Sequence, residues 1–115
     1  MIQLVFSEPA ENDLAEIAAF IAADDPAAAL RVLTAIRAAT AHLAAFPAIG
    51  RLGRVPGTRE FTVTSLPYLI VYERMGDTLI IDAVLHGARD LPRTMAPRRA
   101  AIGRKQPRAK PKEPT

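Results

Sequence analysis

The sequence predicts an α+β fold, a helical hairpin packed on a small, largely antiparallel sheet, in the order β-α-α-β-β-β. Three observations support this prediction. Apolar residues recur at helical spacing from residue 7 to residue 46, with one interruption at a DDP turn. A glycine- and arginine-rich connection, GRLGRVPGTRE (50–60), follows the helical region. Beyond it the pattern changes to β-branched and aromatic runs separated by turn residues.

The first strand candidate is IQLVF (2–6), and the first helix follows it directly. Ser7 is the predicted N-cap, and the acidic residues and Pro9 of the next turn suit the positive end of the helix dipole. This helix is predicted to run to about Ala23. Its apolar face consists of residues at spacings of three and four: Leu14, Ile17, Ala18 and Ile21.

The second helix is predicted to begin at Asp25 as N-cap, with Pro26 in its first position. It is rich in alanine and is expected to end near Phe46, because Pro47 disfavours helical backbone at the residue before it. The turn between the two helices is short. They are therefore expected to form an antiparallel hairpin.

Three strands are predicted after the connection: REFTVT (59–64), YLIVYER (68–74) and TLIIDAVLH (78–86). The MGD segment between the last two is typical of a hairpin turn. Two helices can cover only one face of this meander. We therefore expect the other face to be open, either solvated or in contact with a partner.

The composition indicates one soluble domain, residues 1–92, followed by a basic, proline-rich tail, residues 93–115. The domain carries seven Lys/Arg against eleven Asp/Glu, whereas the tail carries eight against one, so their net charges are −4 and +7. The tail has few large apolar side chains and is predicted to be disordered, either solvated without a specific role or touching nucleic acid or an acidic partner.

Several classes of site and location are disfavoured by the same composition. The chain has no cysteine and only two histidines, so the sequence indicates no disulfide framework, no metal site and no cofactor. It also contains no secretion signal and no apolar run long enough to span a membrane. A cytoplasmic protein is expected.

The arginines of the connection are the first candidates for binding a target. Arg51, Arg54 and Arg59 would form a basic edge beside the sheet, and their planar guanidinium groups suit phosphate or carboxylate. Alternatively each is solvated or paired within the chain, with Glu60 or Asp82 as the partner. The sequence leaves both interpretations open.

His86 and Arg89 are the candidates at the end of the last strand. A histidine of near-neutral pKa can act as a general acid or base, or it can simply bond the turn that follows it. Two tyrosines, Tyr68 and Tyr72, are spaced four apart on one strand face, and core packing is their expected role.

The order and spacing of these segments resemble a known family. FPAIGRLGRVPGTREF, PYLIVY and VLHGARDLP, placed after the helical hairpin, are similar to the RelE/ParE superfamily of toxins from bacterial type II toxin–antitoxin systems, over residues 1–92. The resemblance implies a small α+β toxin that forms a hetero-oligomer with a cognate antitoxin. That antitoxin is expected to lay an amphipathic helix or extended segment across the hairpin and a sheet edge.

The superfamily contains two activities. RelE-like members are ribosome-dependent mRNA endonucleases that use basic residues with a tyrosine or histidine, whereas ParE-like members inhibit DNA gyrase. The domain has no lysine, the last strand has no arginine, and VLHGARD looks more like the ParE branch.

The resemblance therefore favours a gyrase inhibitor that binds its target and is not an enzyme. Target contacts are expected from Arg51, Arg54, Arg59, His86 and Arg89. The alternatives are an mRNA endonuclease using Arg59 and His86, and a degenerate toxin that retains only antitoxin binding.

Overall fold

The computed structural model of the protein describes residues 2–87; Arg89 and the predicted tail lie outside the described residues. Two helices and five strands follow one another in the chain: β1 (Gln3–Phe6), α1 (Glu8–Ala22), α2 (Pro26–Ala45), β2 (Arg51–Leu52), β3 (Arg59–Thr62), β4 (Tyr68–Met75) and β5 (Thr78–His86). The predicted α+β class is confirmed. The structure adds β2, a two-residue strand inside the segment that the sequence indicated as a connection.

The five strands form one mixed sheet in the order β1-β5-β4-β3-β2. The pairs β2–β3, β3–β4 and β4–β5 are antiparallel, whereas β1 runs parallel to β5, with Gln3 opposite Thr78 and Phe6 opposite Ile81. The β4–β5 hairpin turns at Gly76, whose φ of 60° is easily adopted by glycine.

Side-chain caps fix where both helices begin, as the sequence predicts. Ser7 Oγ accepts a hydrogen bond from the Ala10 amide at 3.2 Å, and Asp25 Oδ1 accepts one from the Ala28 amide at 3.1 Å. Each bond satisfies a backbone N–H that has no partner inside its helix. The helices end at Ala22 and Ala45, each one residue before the predicted end.

The main core lies between the helices and one face of the sheet. Most of its buried members come from α1, α2, β4 and β5, including Leu14, Ile36, Leu43, Ile70, Tyr72, Leu79, Ile81 and Val84. Both predicted core tyrosines, Tyr68 and Tyr72, belong to it.

The second face of the sheet is not open, so that expectation is wrong. A separate apolar cluster is buried there: Val55, Leu69, Val71, Ala83 and Leu85. The reason lies in the central strand, since YLIVY is apolar at consecutive positions and such a strand is buried on both faces. Val55, from the connection, packs against this second face.

A β-bulge interrupts the pairing of β4 and β5. Val71 lies opposite Ala83 and Tyr72 opposite Ile81, which leaves Asp82 as an extra residue in β5. The start of α1 binds this bulge at two points. Ser7 Oγ donates to the Asp82 carbonyl at 3.3 Å, and the buried Asp13 carboxylate accepts a hydrogen bond from the Val84 amide at 2.9 Å.

Candidate target-binding site

Two side chains, Tyr72 and Arg59, hold residues 47–50, which lie between α2 and β2. We call these residues the clamped segment and the two side chains that hold them the clamp. The hydroxyl of Tyr72 donates to the Pro47 carbonyl at 2.7 Å and accepts from the Gly50 amide at 2.9 Å. Arg59 Nη1 donates to the carbonyls of Gly50, at 2.6 Å, and Ala48, at 3.4 Å. The two side chains face each other across the β3–β4 ladder, so the sheet positions both.

Gly50 is required by this close approach. An added Cβ would lie 2.5 Å from Tyr72 Oη and 3.0 Å from the Glu60 carbonyl oxygen. The glycine therefore lets the backbone reach the tyrosine hydroxyl, which a larger residue would push away.

Burial raises the pKa of the Tyr72 hydroxyl above its ordinary value of 10, although the Gly50 hydrogen bond and the charge of Arg59 act in the opposite direction. The hydroxyl is therefore neutral at physiological pH. It already donates one hydrogen bond and accepts another, both to backbone groups. Its role in this geometry is to hold the clamped segment in place.

Arg51 and Arg54 meet at the buried carboxylate of Glu60. Arg51 Nη2 lies 3.3 Å from Glu60 Oε1, and the Arg54 amide donates to Glu60 Oε2 at 3.0 Å. The Glu60 side chain is only 2% exposed, whereas that of Arg51 is 63% exposed. One predicted pairing, that of a connection arginine with Glu60, is therefore observed. Both Arg51 and Arg54 are nevertheless exposed at the surface.

Three apolar side chains close to these arginines in the chain are exposed: Phe46, Ile49 and Leu52. Leu52, in β2, is the most exposed of them, at 77%. Together with Arg51 and Arg54 they form what we call the connection patch. An apolar centre with arginine beside it is a composition typical of protein–protein interfaces.

His86 lies at the end of β5, away from Arg59. Its ring packs edge-on against Tyr68, with centroids 6.1 Å apart. Arg59 is paired with Tyr72 in β4, whereas His86 is paired with Tyr68 four residues away, on the other side of that strand. Four residues of strand span about 13 Å, so the two side chains do not converge on one reacting atom.

The structure thus brings together three of the predicted residues and separates a fourth. Arg51, Arg54 and Arg59 surround the connection; His86 is remote from them; Arg89 lies outside the described residues. Sequence reasoning missed the hydroxyl of Tyr72 as the centre of the clamp. Its spacing indicated burial, but its backbone partners are more than twenty positions away in the chain.

A cavity of about 310 Å³ opens next to the clamped segment, where β3 begins. It is lined by Pro47, Ala48, Gly57, Arg59, Tyr72, Glu73 and Arg74. Arg74 was not among the predicted site residues. Within residues 2–87, no group of three or more histidine or acidic residues could hold a metal ion, and no helix is long and apolar enough to cross a membrane.

Comparison with known proteins adds to this geometry. Residues 4–91 match the family described as the ParE toxin of the type II toxin–antitoxin system parDE. The chain is 42% identical over 82 residues to the "Putative toxin Y4kP" of Sinorhizobium fredii, an alignment that covers 71% of this chain and 84% of that protein.

A solved structure supports the same assignment. The chain superposes on a structure titled "Chromosomal ParDE TA system from P. aeruginosa" with a TM-score of 0.68 and 25% identity, covering 75% of this chain and 96% of that one. The likeness lies in the overall architecture of two helices and a five-stranded mixed sheet. The chain therefore belongs to the ParE family and is the toxin of a ParDE-type toxin–antitoxin system.

Proposed function

We propose that this toxin inhibits DNA gyrase by binding to it and that a cognate antitoxin neutralises it. The observation that carries the proposal is the separation of Arg59 from His86, joined to the engagement of the Tyr72 hydroxyl in the clamp. An endonuclease needs such groups within hydrogen-bond reach of one phosphate and its 2′-hydroxyl. In this structure Arg59 and Tyr72 hold the clamped segment, whereas His86 packs against Tyr68 elsewhere in the sheet.

The connection patch is the proposed contact with gyrase. Glu60 holds Arg51 through its guanidinium and Arg54 through its backbone amide, so both residues lose little freedom on binding. Leu52 contributes exposed apolar area between them. His86 and Arg89 remain proposed as further contacts near the end of β5.

The helical hairpin is the proposed contact with the antitoxin. Phe20 in α1 and Leu30 in α2 are 75% and 67% exposed, so each helix offers apolar area to a partner. An amphipathic helix of the antitoxin would bury both. The complex is accordingly proposed to be a hetero-oligomer that acts in the cytoplasm, where gyrase and its DNA are found.

A supercoiling assay on the full chain tests the proposal. Purified toxin is added to gyrase with relaxed plasmid and, in parallel, to a translation reaction in which primer extension maps cuts in the mRNA. We expect supercoiling to be inhibited while the mRNA stays intact. Cuts at codon positions would refute the proposal in favour of the endonuclease, and no effect in either assay would favour a degenerate toxin.

Substitutions to glutamate test whether the connection patch contacts gyrase. Arg54→Glu and Leu52→Glu are each expected to raise the inhibitory concentration by about tenfold, the cost of losing one interface contact of moderate strength. Arg31→Glu is the matched control, because Arg31 is an exposed arginine of α2 whose nearest acidic partner, Asp25, is 4.0 Å away. Equal effects of Arg54→Glu and Arg31→Glu, which change the net charge by the same amount, would show that only net charge matters.

A further inference from the structure

Two guanidinium groups line the same cavity. Arg59 is opposite Tyr72 in the β3–β4 ladder, and Arg74 lies two residues further along β4. Residues in this diagonal relation are about 7 to 8 Å apart at their Cα atoms, within reach of long side chains. Arg59 bonds the clamped segment through Nη1 and is also a lining residue of the cavity.

Each of these arginines keeps donors that the described part of the chain does not use. Arg59 spends Nη1 on the carbonyls of Gly50 and Ala48, while its Nε and Nη2 make no hydrogen bond within residues 2–87. Arg74 donates from Nε to the Gly76 carbonyl at 2.9 Å, and its two Nη groups likewise make none there. Each guanidinium thus has at least two nitrogens available to a ligand.

The cavity is electrostatically suited to an anion. Alternation along β4 places Tyr72 and Arg74 on the helix-facing side of the sheet and Glu73 on the other side. Tyr72 is neutral, so the charged residues of the lining are two cations, Arg59 and Arg74, against one acidic residue, Glu73. Two like charges at this spacing repel each other until an anion lies between them.

We propose that this cavity binds a phosphate group of a nucleic acid or nucleotide, held by Arg59 and Arg74. A phosphate presents at least three oxygens and more negative charge than a carboxylate, so it can bond both guanidinium groups at once. The volume, about 310 Å³, is at the lower limit for small-molecule sites, which is room for a phosphate with its attached sugar. The inference concerns this cavity alone and does not require that gyrase be the target.

Three probes test the proposal and separate the sources of phosphate: inorganic phosphate and 2′-deoxyadenosine 5′-monophosphate by titration calorimetry, and a 20-base-pair duplex by fluorescence anisotropy. The full chain is used at constant ionic strength. Arg74→Ala is the main variant, because Arg74 is exposed and its one hydrogen bond within residues 2–87 is made to the neighbouring turn. Arg31→Ala, on α2, is the control for loss of one exposed positive charge.

We expect Arg74→Ala to weaken binding of inorganic phosphate by about tenfold, the effect of losing one charge-assisted contact, and Arg31→Ala to leave it unchanged. Arg59→Lys, which keeps the charge but loses the planar fork, should also weaken it. For the duplex, Arg74→Ala should lower the slope of log affinity against log salt by about 0.9, the value for one phosphate contact.

The basic tail can also bind phosphate, but it is the same in every variant, so differences between variants do not come from it. Binding of the nucleotide with the same dependence on Arg74 would identify a free nucleotide as a ligand, whereas dependence in the duplex alone would identify the DNA backbone. Equal effects of Arg74→Ala and Arg31→Ala on all three probes would overturn the proposal. If Arg74→Ala loses phosphate binding but still inhibits gyrase, the phosphate site is supported and is not needed for gyrase inhibition.

Discussion

Removing the hydroxyl of Tyr72 is the sharpest test of how the connection is held. Tyr72 is only 1% exposed, and its hydroxyl bonds the Pro47 carbonyl and the buried Gly50 amide. In Tyr72→Phe the ring still fills the core, but the Gly50 N–H is left buried without its partner. An unsatisfied buried donor costs about 1 to 3 kcal/mol, so we expect the variant to lose roughly 2 kcal/mol of unfolding free energy.

The assay is thermal and urea unfolding followed by circular dichroism. For a domain of this size, 2 kcal/mol corresponds to a fall in Tm of about 10 °C. Tyr68→Phe is the matched control, because Tyr68 lies in the same core and strand and its hydroxyl makes no hydrogen bond in the described part of the chain. It should change the unfolding free energy by less than about 0.5 kcal/mol.

The pH dependence of unfolding gives a second measure of the same hydroxyl. Burial raises the pKa of Tyr72, so the folded state holds this proton more tightly than the unfolded chain does. The resulting stabilisation is complete below pH 10, the unfolded pKa, and is lost as the pH rises through the higher folded value. Tyr72→Phe should flatten this alkaline loss. Equal stability of the Tyr72 and Tyr68 variants, with identical alkaline profiles, would refute the clamp.

Further changes probe other parts of the structure. Gly50→Ala places a Cβ 2.5 Å from Tyr72 Oη and should destabilise the protein by about 2 kcal/mol. Combined with Tyr72→Phe, its effect in urea unfolding should be less than additive, because the nearest clashing atom is then absent. Asp13→Ala should cost about 2 kcal/mol by leaving the Val84 amide buried without its acceptor, whereas Asp13→Asn, which retains an acceptor oxygen, should cost less; equal melting temperatures for the two would contradict this. Deletion of residues 93–115 should leave growth inhibition unchanged in cells expressing the toxin without its antitoxin, and loss of inhibition would assign the tail a role.

Local chemistry explains which parts of the fold were predictable from the sequence. The caps at Ser7 and Asp25 act over three residues, so a short window of sequence contains everything that determines where the helices begin. The strands β4 and β5 are bounded by a turn whose glycine takes a positive φ, and this too is a local signal.

Contacts between distant segments explain what the sequence did not reveal. Strict alternation along TLIIDAVLH would put Leu79, Ile81 and Ala83 on one face, but the extra residue Asp82 shifts the phase, so that Val84 joins Leu79 and Ile81 instead. That bulge is held by Ser7 and Asp13, about seventy positions earlier. The sequence predicted the three connection arginines as site residues. It did not predict Arg74, which lies near the end of a strand and reaches the cavity only through the fold.

The parallel pairing of β1 with β5 has a consequence for how the toxin is made. Within the described sheet β1 bonds only to β5. Because β1 is synthesised first of the five strands and β5 last, β1 cannot pair until β5 has left the ribosome. The helical hairpin relies on nearby contacts and can form early, while the sheet depends on contacts between distant parts of the chain, which form slowly. At about 5 to 20 residues per second, the chain between them takes several seconds to synthesise. During that interval the hairpin surface exists before the complete sheet does, and a partner that recognises the hairpin can meet the nascent toxin before the toxin is fully folded.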